Sequence, residues 1–214
     1  MLALHGSAIS NYYNKVKLAL LEKGMAFEEV YTGTGSTDEA VLSASPLGKI
    51  PFLRTEHGAV CESQPVLEYI EAIQPKPALL PADPFAAAKV RELCVFIDWH
   101  LEMTARQLYG SAFFGRPALS ESNLARIRKE LDTRIAGFKR LAKFAPYVAG
   151  DTFTMADCCA FNNLPLVAMA TKAAFGEDLL AAAGIDHKAY VKFVGERPTA
   201  QKVVADRKAV QTKS

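Results

Sequence analysis

The alternation of apolar and polar residues separates a first stretch that contains strands from a second stretch that is helical throughout. Short apolar runs at Leu2–Gly6 and Phe27–Tyr31 predict two strands, and the amphipathic segment between them ends at Gly24, a typical residue after a helix. Two further short runs flank a turn at Glu56-His57-Gly58. A helical period then extends from Ser63 to Ile73.

The order of these elements is βαβ, a connector with a weak helical pattern at Asp38–Ser43, and then ββα, which is typical of a thioredoxin-like domain. Four prolines follow within Gln74–Pro84, and such a run is typical of a semi-rigid linker. Everything after them has a helical period. The sequence therefore predicts an α/β plus all-α fold: a thioredoxin-like N-terminal domain over 1–75, a linker over 76–86 and an all-helical C-terminal domain over 87–214.

One local motif in the helical stretch predicts the start of a particular helix. Thr154 and Asp157 have the spacing of a capping box, in which each side chain bonds the other residue's backbone N–H. The helix that follows is almost wholly apolar through Ala170, which predicts a buried central helix with its cap inside the protein. An unpaired N–H there would cost about 1–3 kcal/mol, so we expect this pair to be structural rather than catalytic.

Composition narrows the class of function. The formal net charge of the 214 residues is +2, so no large basic surface suggests binding to nucleic acid or to an anionic membrane. The four histidines and four cysteines lack the spacing of metal ligands, and no apolar run is long enough to span a bilayer. Since no secretory leader pattern opens the chain, the sequence predicts a cytoplasmic protein without a metal site.

The segment before the third predicted strand carries the strongest functional signal. Ile50-Pro51 lies in a tight connection, the usual place for a cis bond, and a cis junction would turn the Ile50 backbone outward as an edge for an extended peptide. Ser63 begins the next helix, and a helix N-terminus favours a bound carboxylate. Glu62 beside it would hold an ammonium group. Together these residues predict a site for a peptide that carries both an amine and a carboxylate.

The run Pro46-Leu47-Gly48-Lys49-Ile50-Pro51, followed by Glu62-Ser63, resembles the glutathione site of cytosolic glutathione S-transferases. The resemblance covers nearly the whole chain, and it implies a homodimer with glutathione as co-substrate. The residues that it assigns to glutathione binding are Lys49, Ile50, Pro51, Glu62 and Ser63. The basic pair of the phi class has no counterpart at Ser36 and Thr37, which leaves Lys49 as the cation for the glycine carboxylate. The resemblance also identifies Thr154 and Asp157 as the family's C-domain cap.

Glutathione transfer needs a thiolate, whereas a free cysteine thiol has a pKa of about 8.5. A hydroxyl donor together with a helix N-terminus lowers that pKa by roughly one to two. By its spacing to Lys15-Val16 and Lys23-Gly24, Ser10 resembles the active serine of theta, phi and zeta transferases and the active cysteine of the beta and omega classes. A serine before a helix is also an ordinary N-cap. The alternative donors are Ser7, Tyr12 and Tyr13.

The second substrate is expected between the two domains, against an apolar wall that favours hydrophobic electrophiles. The residues predicted to line that wall are Tyr12, Tyr13, Met103, Tyr109, Phe113 and Phe114. The resulting prediction is glutathione transfer to an apolar electrophile, with Ser10 holding the thiolate. Two alternatives stay open: a glutathione-dependent peroxidase or isomerase that uses the same site, and a transferase-fold module that binds a protein partner without turnover. The sequence does not specify the electrophile.

Overall fold

The computed structural model describes residues 1–212, which fold as two compact units. The first unit comprises Met1–Pro81 together with the C-terminal residues from Gly195, and the second comprises Ala82–Val194. The sequence predicts one helical domain from residue 87 onward, so the structure differs by placing the last helix with the first unit. Residues 213 and 214, the end of that predicted domain, lie outside the described residues.

Among the described residues, the strands form one four-stranded sheet in the order β2-β1-β3-β4. The strands are β1 (Leu2–Gly6), β2 (Phe27–Tyr31), β3 (Phe52–Thr55) and β4 (Gly58–Cys61), and the helices of the same segment are α1 (Asn11–Glu22), α2 (Glu39–Leu42) and α3 (Ser63–Ile73). β1 pairs parallel with β2 and antiparallel with β3, and β3 pairs antiparallel with β4. This topology confirms the predicted thioredoxin-like fold.

The core of the first unit lies between the sheet and the helices α1 and α3. The buried apolar cluster consists of Leu4, Leu53, Tyr13, Val16, Leu20, Val66 and Ile70. Its members on α1 are three and then four residues apart, which places them on one face of that helix. This packing fixes the position at which each helix begins, and both helix starts belong to the predicted glutathione site.

The second unit is helical, as predicted. Its helices are α4 (Pro84–Val95), α5 (Met103–Ala105), α6 (Tyr109–Phe113), α7 (Glu121–Leu141), α8 (Met155–Phe175), α9 (Leu179–Ala182) and α10 (His187–Gly195). The predicted single helix over Phe85–Tyr109 is divided by a π-helical segment at Phe96–Glu102 and a 3₁₀ turn at Arg106–Leu108. None of the helices in residues 1–212 is both long and apolar enough to cross a membrane.

A capping box begins α8, the central buried helix of the second unit. Asp157 is fully buried, and its Oδ2 accepts hydrogen bonds from the backbone N–H of Thr154 (2.8 Å) and from Thr154 Oγ1 (3.1 Å). Its Oδ1 accepts the Val148 backbone N–H (2.9 Å) and the Tyr190 hydroxyl (2.8 Å). Burial raises the pKa of Asp157 more than these hydrogen bonds lower it. The carboxyl group thus joins the start of α8 to the preceding loop and to α10.

The last helix, α11 (Pro198–Gln211), is held in the first unit by a buried charge. The side chain of Lys17 on α1 is 1% exposed, and its Nζ lies 2.5 Å from Asp206 Oδ2 and 2.6 Å from Glu29 Oε2. At the start of α11, Arg197 Nε donates to Glu22 Oε1 at 2.8 Å. Removing a partner from a buried ion pair is destabilising, so the bond from Lys17 to Asp206 helps to hold α11 in the first unit.

Candidate functional site

The strand pairing brings three of the predicted segments to one edge of the sheet. His5 on β1 pairs with Phe52 on β3, and Phe52 pairs with Cys61 on β4. Because β3 runs antiparallel to both neighbours, the loop after β1, the residues before β3 and the residues after β4 meet at the same edge. Adjacent strands are about 4.8 Å apart, so the edge spans roughly 10 Å, about the length of three extended residues.

Ser10 lies at this edge as the N-cap of α1. Its Oγ accepts the backbone N–H of Tyr13 at 3.3 Å, so the ordinary capping role is present. Accepting that bond uses one lone pair and leaves the hydroxyl hydrogen for a second partner. The N-terminus of α1 also carries the partial positive charge that stabilises an anion. Capping the helix and donating to a sulfur are therefore compatible for the same hydroxyl.

Glu62 and Ser63 form the corner between β4 and α3. Glu62 is exposed and has a φ of 65°, a left-handed conformation that residues other than glycine seldom adopt. Ser63 is 9% exposed and is the first residue of α3. Strained backbone of this kind concentrates at ligand-binding sites. This corner thus places the N-terminus of α3, which favours a bound carboxylate, next to the acidic side chain of Glu62.

The segment from Lys49 to Pro51 directly precedes β3 and therefore lies at the same edge. The Ile50–Pro51 peptide bond is cis. Lys49 is exposed and its carbonyl accepts the Ser45 hydroxyl at 2.8 Å, whereas Ile50 is half-buried and Pro51 is buried. Within residues 1–212, the backbone N–H and C=O of Ile50 have no hydrogen-bond partner. Both groups are available to an extended peptide that adds to this edge.

Residues 4–78 match the family model for the glutathione S-transferase N-terminal domain. The chain is also 44% identical to a glutathione S-transferase from Pseudomonas putida, over 98% of this chain and 94% of that relative. The chain belongs to the glutathione S-transferase family. The resemblance predicted from the run through Ile50-Pro51 and from Glu62-Ser63 is confirmed.

Solved structures of glutathione S-transferases have the same architecture. One from Methylobacterium radiotolerans, in complex with glutathione sulfonate, has a TM-score of 0.74 at 27% identity and covers 95% of this chain and 94% of its own. Glutathione transferase F2 from Populus trichocarpa has a TM-score of 0.79 and covers 98% of this chain and 100% of its own. Because its identity is 17%, the second likeness shows the fold alone.

Tyr13 is a core residue of this glutathione S-transferase. It is 2% exposed, and its hydroxyl donates to Glu29 Oε2 at 2.6 Å. Burial first, and then the bond to Glu29, raises the pKa of Tyr13. It is therefore not exposed to line a ligand surface or to donate to a thiol, which corrects its predicted assignment. The signal was in the sequence, since Tyr13 lies on the apolar face of α1 with Val16 and Leu20.

The other residues predicted to contact a second substrate differ in exposure. Tyr12 and Phe113 are half-buried, and Met103 and Phe114 are 37% and 71% exposed. Tyr109 is 6% exposed, and its ring lies 4.9 Å from that of Phe113. Its hydroxyl donates to the buried carboxylate of Glu102 at 3.1 Å. Tyr12, Met103, Phe113 and Phe114 therefore each keep accessible surface, whereas Tyr109 does not.

His5, which lies next to the predicted site, is a packed strand residue. Its ring stacks on Phe52 with centroids 4.5 Å apart, and its Nδ1 lies 3.3 Å from Thr32 Oγ1. Burial, and then the charge of Arg54, lowers the pKa of His5, so the ring is neutral at pH 7. In the part of the chain that the structure describes, no group of three His, Cys, Asp or Glu side chains is arranged to hold a metal ion.

The sequence reasoning missed Asn14, which is fully buried in the first turns of α1. Its Nδ2 donates to the backbone carbonyl of Ala8 at 2.7 Å, within the loop that leads to Ser10. The available signal was the position of this asparagine, directly after Tyr13 on the first turns of α1. A pattern of hydrophobic and polar residues assigns such a residue to the surface, because it does not show side-chain bonds to a loop.

Gly48 fixes the turn that leads into the Ile50 edge. It has a φ of 61°, and a Cβ there would lie 2.4 Å from the carbonyl oxygen of Ser36. We expect Gly48→Ala to lower the free energy of unfolding by about 2 kcal/mol, because the left-handed backbone and the clash both oppose a side chain. Glutathione should also bind more weakly, since Lys49 to Pro51 follow directly. Denaturant unfolding and calorimetric titration with glutathione measure the two effects.

Gly24 offers a matched control. It has a φ of 62°, yet a Cβ there would meet nothing within 4 Å. Gly24→Ala should therefore show only the conformational cost of about 1 kcal/mol, with glutathione affinity unchanged. Equal losses of glutathione affinity in the two variants would contradict the role given to the turn at Gly48.

Proposed function

We propose that this glutathione S-transferase binds glutathione along the Ile50 edge, with the thiol at Ser10, and transfers the thiolate to a hydrophobic electrophile. The γ-glutamyl group carries both an amine and a carboxylate, and Glu62 and Ser63 are proposed to hold them. Lys49 is proposed for the glycine carboxylate. The observation that carries the proposal is that Ser10, Ile50 and Ser63 all lie at one edge of the sheet, about one tripeptide long.

Ser10 is proposed to stabilise the thiolate by donating its hydroxyl hydrogen to the sulfur. At neutral pH only a few per cent of a free thiol with a pKa of about 8.5 is ionised. Each unit by which the pKa falls corresponds to about 1.36 kcal/mol, which one charge-assisted hydrogen bond and the N-terminus of α1 can supply. The thiol proton is released to solvent, the sulfur forms a bond to the electrophilic carbon, and the leaving group departs with the bonding electron pair.

Tyr12, Met103 and Phe113 are the residues that we propose for contact with the electrophile. Each has accessible surface and an apolar or aromatic side chain. An apolar surface with few fixed polar groups favours hydrophobic compounds and broad selectivity. Separate alanine variants should raise KM for the electrophile and leave KM for glutathione unchanged, and steady-state kinetics measures both constants.

Thermal unfolding with and without glutathione tests the proposed site. At about 100 times its Kd, a ligand adds roughly 2.7 kcal/mol to the free energy of unfolding, so the melting temperature should rise. Free cysteine is the control ligand, because it lacks the γ-glutamyl and glycyl groups and should give no shift. An unchanged melting temperature with glutathione would contradict the proposal and favour a module that binds a protein partner.

A substrate panel separates the two enzyme alternatives once binding is shown. We expect turnover of aryl halides or epoxides, because these accept a thiolate at carbon. Turnover of hydroperoxides alone would instead identify a glutathione-dependent peroxidase. If the protein binds glutathione but turns over none of these compounds, isomerisation becomes the favoured activity.

A homodimer and a cytoplasmic location are further proposals. Val95 and Trp99, at the end of α4 and in the π-helical segment, are 50% and 65% exposed, and adjacent exposed apolar side chains on one helical face favour an interaction surface. A second copy of the chain is the proposed cover for this face. Sedimentation at micromolar concentration should give the mass of two chains, and a single-chain mass would contradict the dimer.

A further inference from the structure

We propose that Asn14 is a positioning residue for catalysis, because its buried side-chain amide holds the loop that presents Ser10 to the thiol of glutathione. The inference rests on the function proposed for Ser10 and adds to it a residue that does not touch the substrate. The hydrogen bond from the buried Asn14 side chain to Ala8 connects α1 to the loop that carries the Ser10 hydroxyl.

Asn14 holds the loop at two points. Its side-chain Nδ2 donates to the Ala8 carbonyl at 2.7 Å, and its backbone N–H donates to the Ser10 carbonyl at 3.0 Å. The side chain of Asn14 is fully buried, so the first of these bonds does not compete with water. Ala8 itself is 8% exposed, and its hydrogen bond with Asn14 is buried. The backbone bond is the regular helical bond that any residue except proline can make, so only the side-chain bond to Ala8 is specific to asparagine.

Three other hydrogen bonds of the loop are local or weak. The Ser10 backbone N–H donates to the Ser7 carbonyl at 2.9 Å, which closes the turn upon itself. The Ile9 N–H lies 3.5 Å from Ser7 Oγ in an exposed position, at the limit of a hydrogen bond. The Tyr13 N–H bonds Ser10 Oγ at 3.3 Å, which orients the hydroxyl but does not place the loop. The bond from Asn14 to Ala8, by contrast, is a buried side-chain bond from α1 to the loop.

Stability alone does not account for an asparagine at this position. Its Oδ1 is buried without a hydrogen-bond partner among residues 1–212, and an unpaired buried amide oxygen costs about 1–3 kcal/mol. A leucine, which has the same branching but is bulkier and has no polar atom, would carry no such cost, and the buried positions Tyr13 and Val16 on the same helix hold apolar side chains. The bond to Ala8 gives the asparagine a function that an apolar residue lacks.

Loss of the hydrogen bond from Asn14 to Ala8 should affect the chemical step more than the binding of glutathione. A displacement of about 1 Å at a reacting group costs up to about 100-fold in rate. Glu62 and Ser63, which are proposed to hold the γ-glutamyl group, lie on other elements. We therefore expect Asn14→Leu to lower kcat about tenfold, to raise the apparent pKa of the bound thiol by about one, and to leave KM for glutathione within about twofold.

The experiment is a pH titration of thiolate absorbance in glutathione complexes of the wild type and of Asn14→Leu, together with steady-state kinetics. Asn14→Ala, which removes the same donor without adding bulk, is made alongside. Asn162→Ala is the matched control, because Asn162 is 5% exposed and its Nδ2 donates to the Cys158 carbonyl at 2.9 Å on α8. The control should lose stability but keep the thiol pKa of the wild type.

The outcomes separate this inference from the function on which it rests. If the bound thiol of the wild type titrates at about 8.5, the proposed role of Ser10 fails before Asn14 is considered. If the wild type has a lowered thiol pKa and either folded Asn14 variant keeps both that pKa and kcat, the positioning role is overturned. It is equally overturned if neither variant folds, because Asn14 would then serve the fold. A raised thiol pKa with unchanged KM supports the inference.

Discussion

Replacing Ser10 by alanine is expected to lower kcat for conjugation by about 10- to 100-fold, with KM for glutathione changed by less than about twofold. The variant removes the hydroxyl hydrogen that we propose to bond the sulfur, so less of the bound thiol is ionised at neutral pH. The contacts proposed for the tripeptide, at Ile50, Glu62 and Ser63, remain. Steady-state kinetics over a range of pH measures both constants, and the loss should shrink at high pH, where the thiol ionises without help.

Two further variants separate catalysis from capping. Ser10→Thr keeps both the hydroxyl donor and the N-cap and should retain most of the activity. Ser10→Asp keeps an N-cap acceptor for the Tyr13 N–H but has no proton to donate at neutral pH, so it should be stable and nearly inactive. An active Ser10→Asp variant would show that the side chain only caps α1. A large loss of activity in Ser7→Ala would move the donor role to Ser7.

Replacing Asp157 by asparagine is expected to lower the free energy of unfolding by about 3 to 4 kcal/mol. The buried carboxyl oxygens accept four hydrogen bonds, two at each oxygen. An asparagine turns an NH2 group toward either Val148 or Thr154, and the backbone N–H on that side loses its acceptor. An unsatisfied buried group costs about 1–3 kcal/mol, and the lost bond to a charged group adds about 1.5–3 kcal/mol.

Tyr190→Phe is the matched control for this prediction. It removes one donor and leaves Asp157 with three, so the loss should be about 1 kcal/mol. Denaturant unfolding of both variants, followed by circular dichroism, compares the two losses. An Asp157→Asn variant within about 0.5 kcal/mol of the wild type would contradict the assignment of the cap as a principal support of α8.

The parts of the fold that could be predicted depend on residues close together in the chain. The spacing of Thr154 and Asp157 is three residues, so a local rule suffices for the cap of α8. The alternating runs at Leu2–Gly6 and Phe27–Tyr31 correspond to β1 and β2 with the same bounds. Membership of the family could be predicted because two short motifs between Lys49 and Ser63 occur in the right order, and the family comparison confirms it.

The parts that could not be predicted depend on contacts between distant residues. The sequence pattern predicts a solvated side chain for Lys17, but its ammonium group is buried against Asp206, 189 residues later. That single pair helps to place α11 with the first unit, which no local pattern indicates. The π-helical segment that divides Phe85–Tyr109 could not be predicted either, because the residues of this range fit the pattern of a regular helix. The Asn14–Ala8 bond joins a side chain to a backbone group, which a hydropathy pattern does not represent.

The central claim is that glutathione bound to this protein is ionised at Ser10. The most direct test is the ultraviolet absorbance of the thiolate, followed against pH in the wild-type protein saturated with glutathione. We predict an apparent pKa for the bound thiol at least about one unit below the free value of about 8.5, and a return toward that value in Ser10→Ala. A bound thiol that titrates at about 8.5 in the wild type would contradict the account.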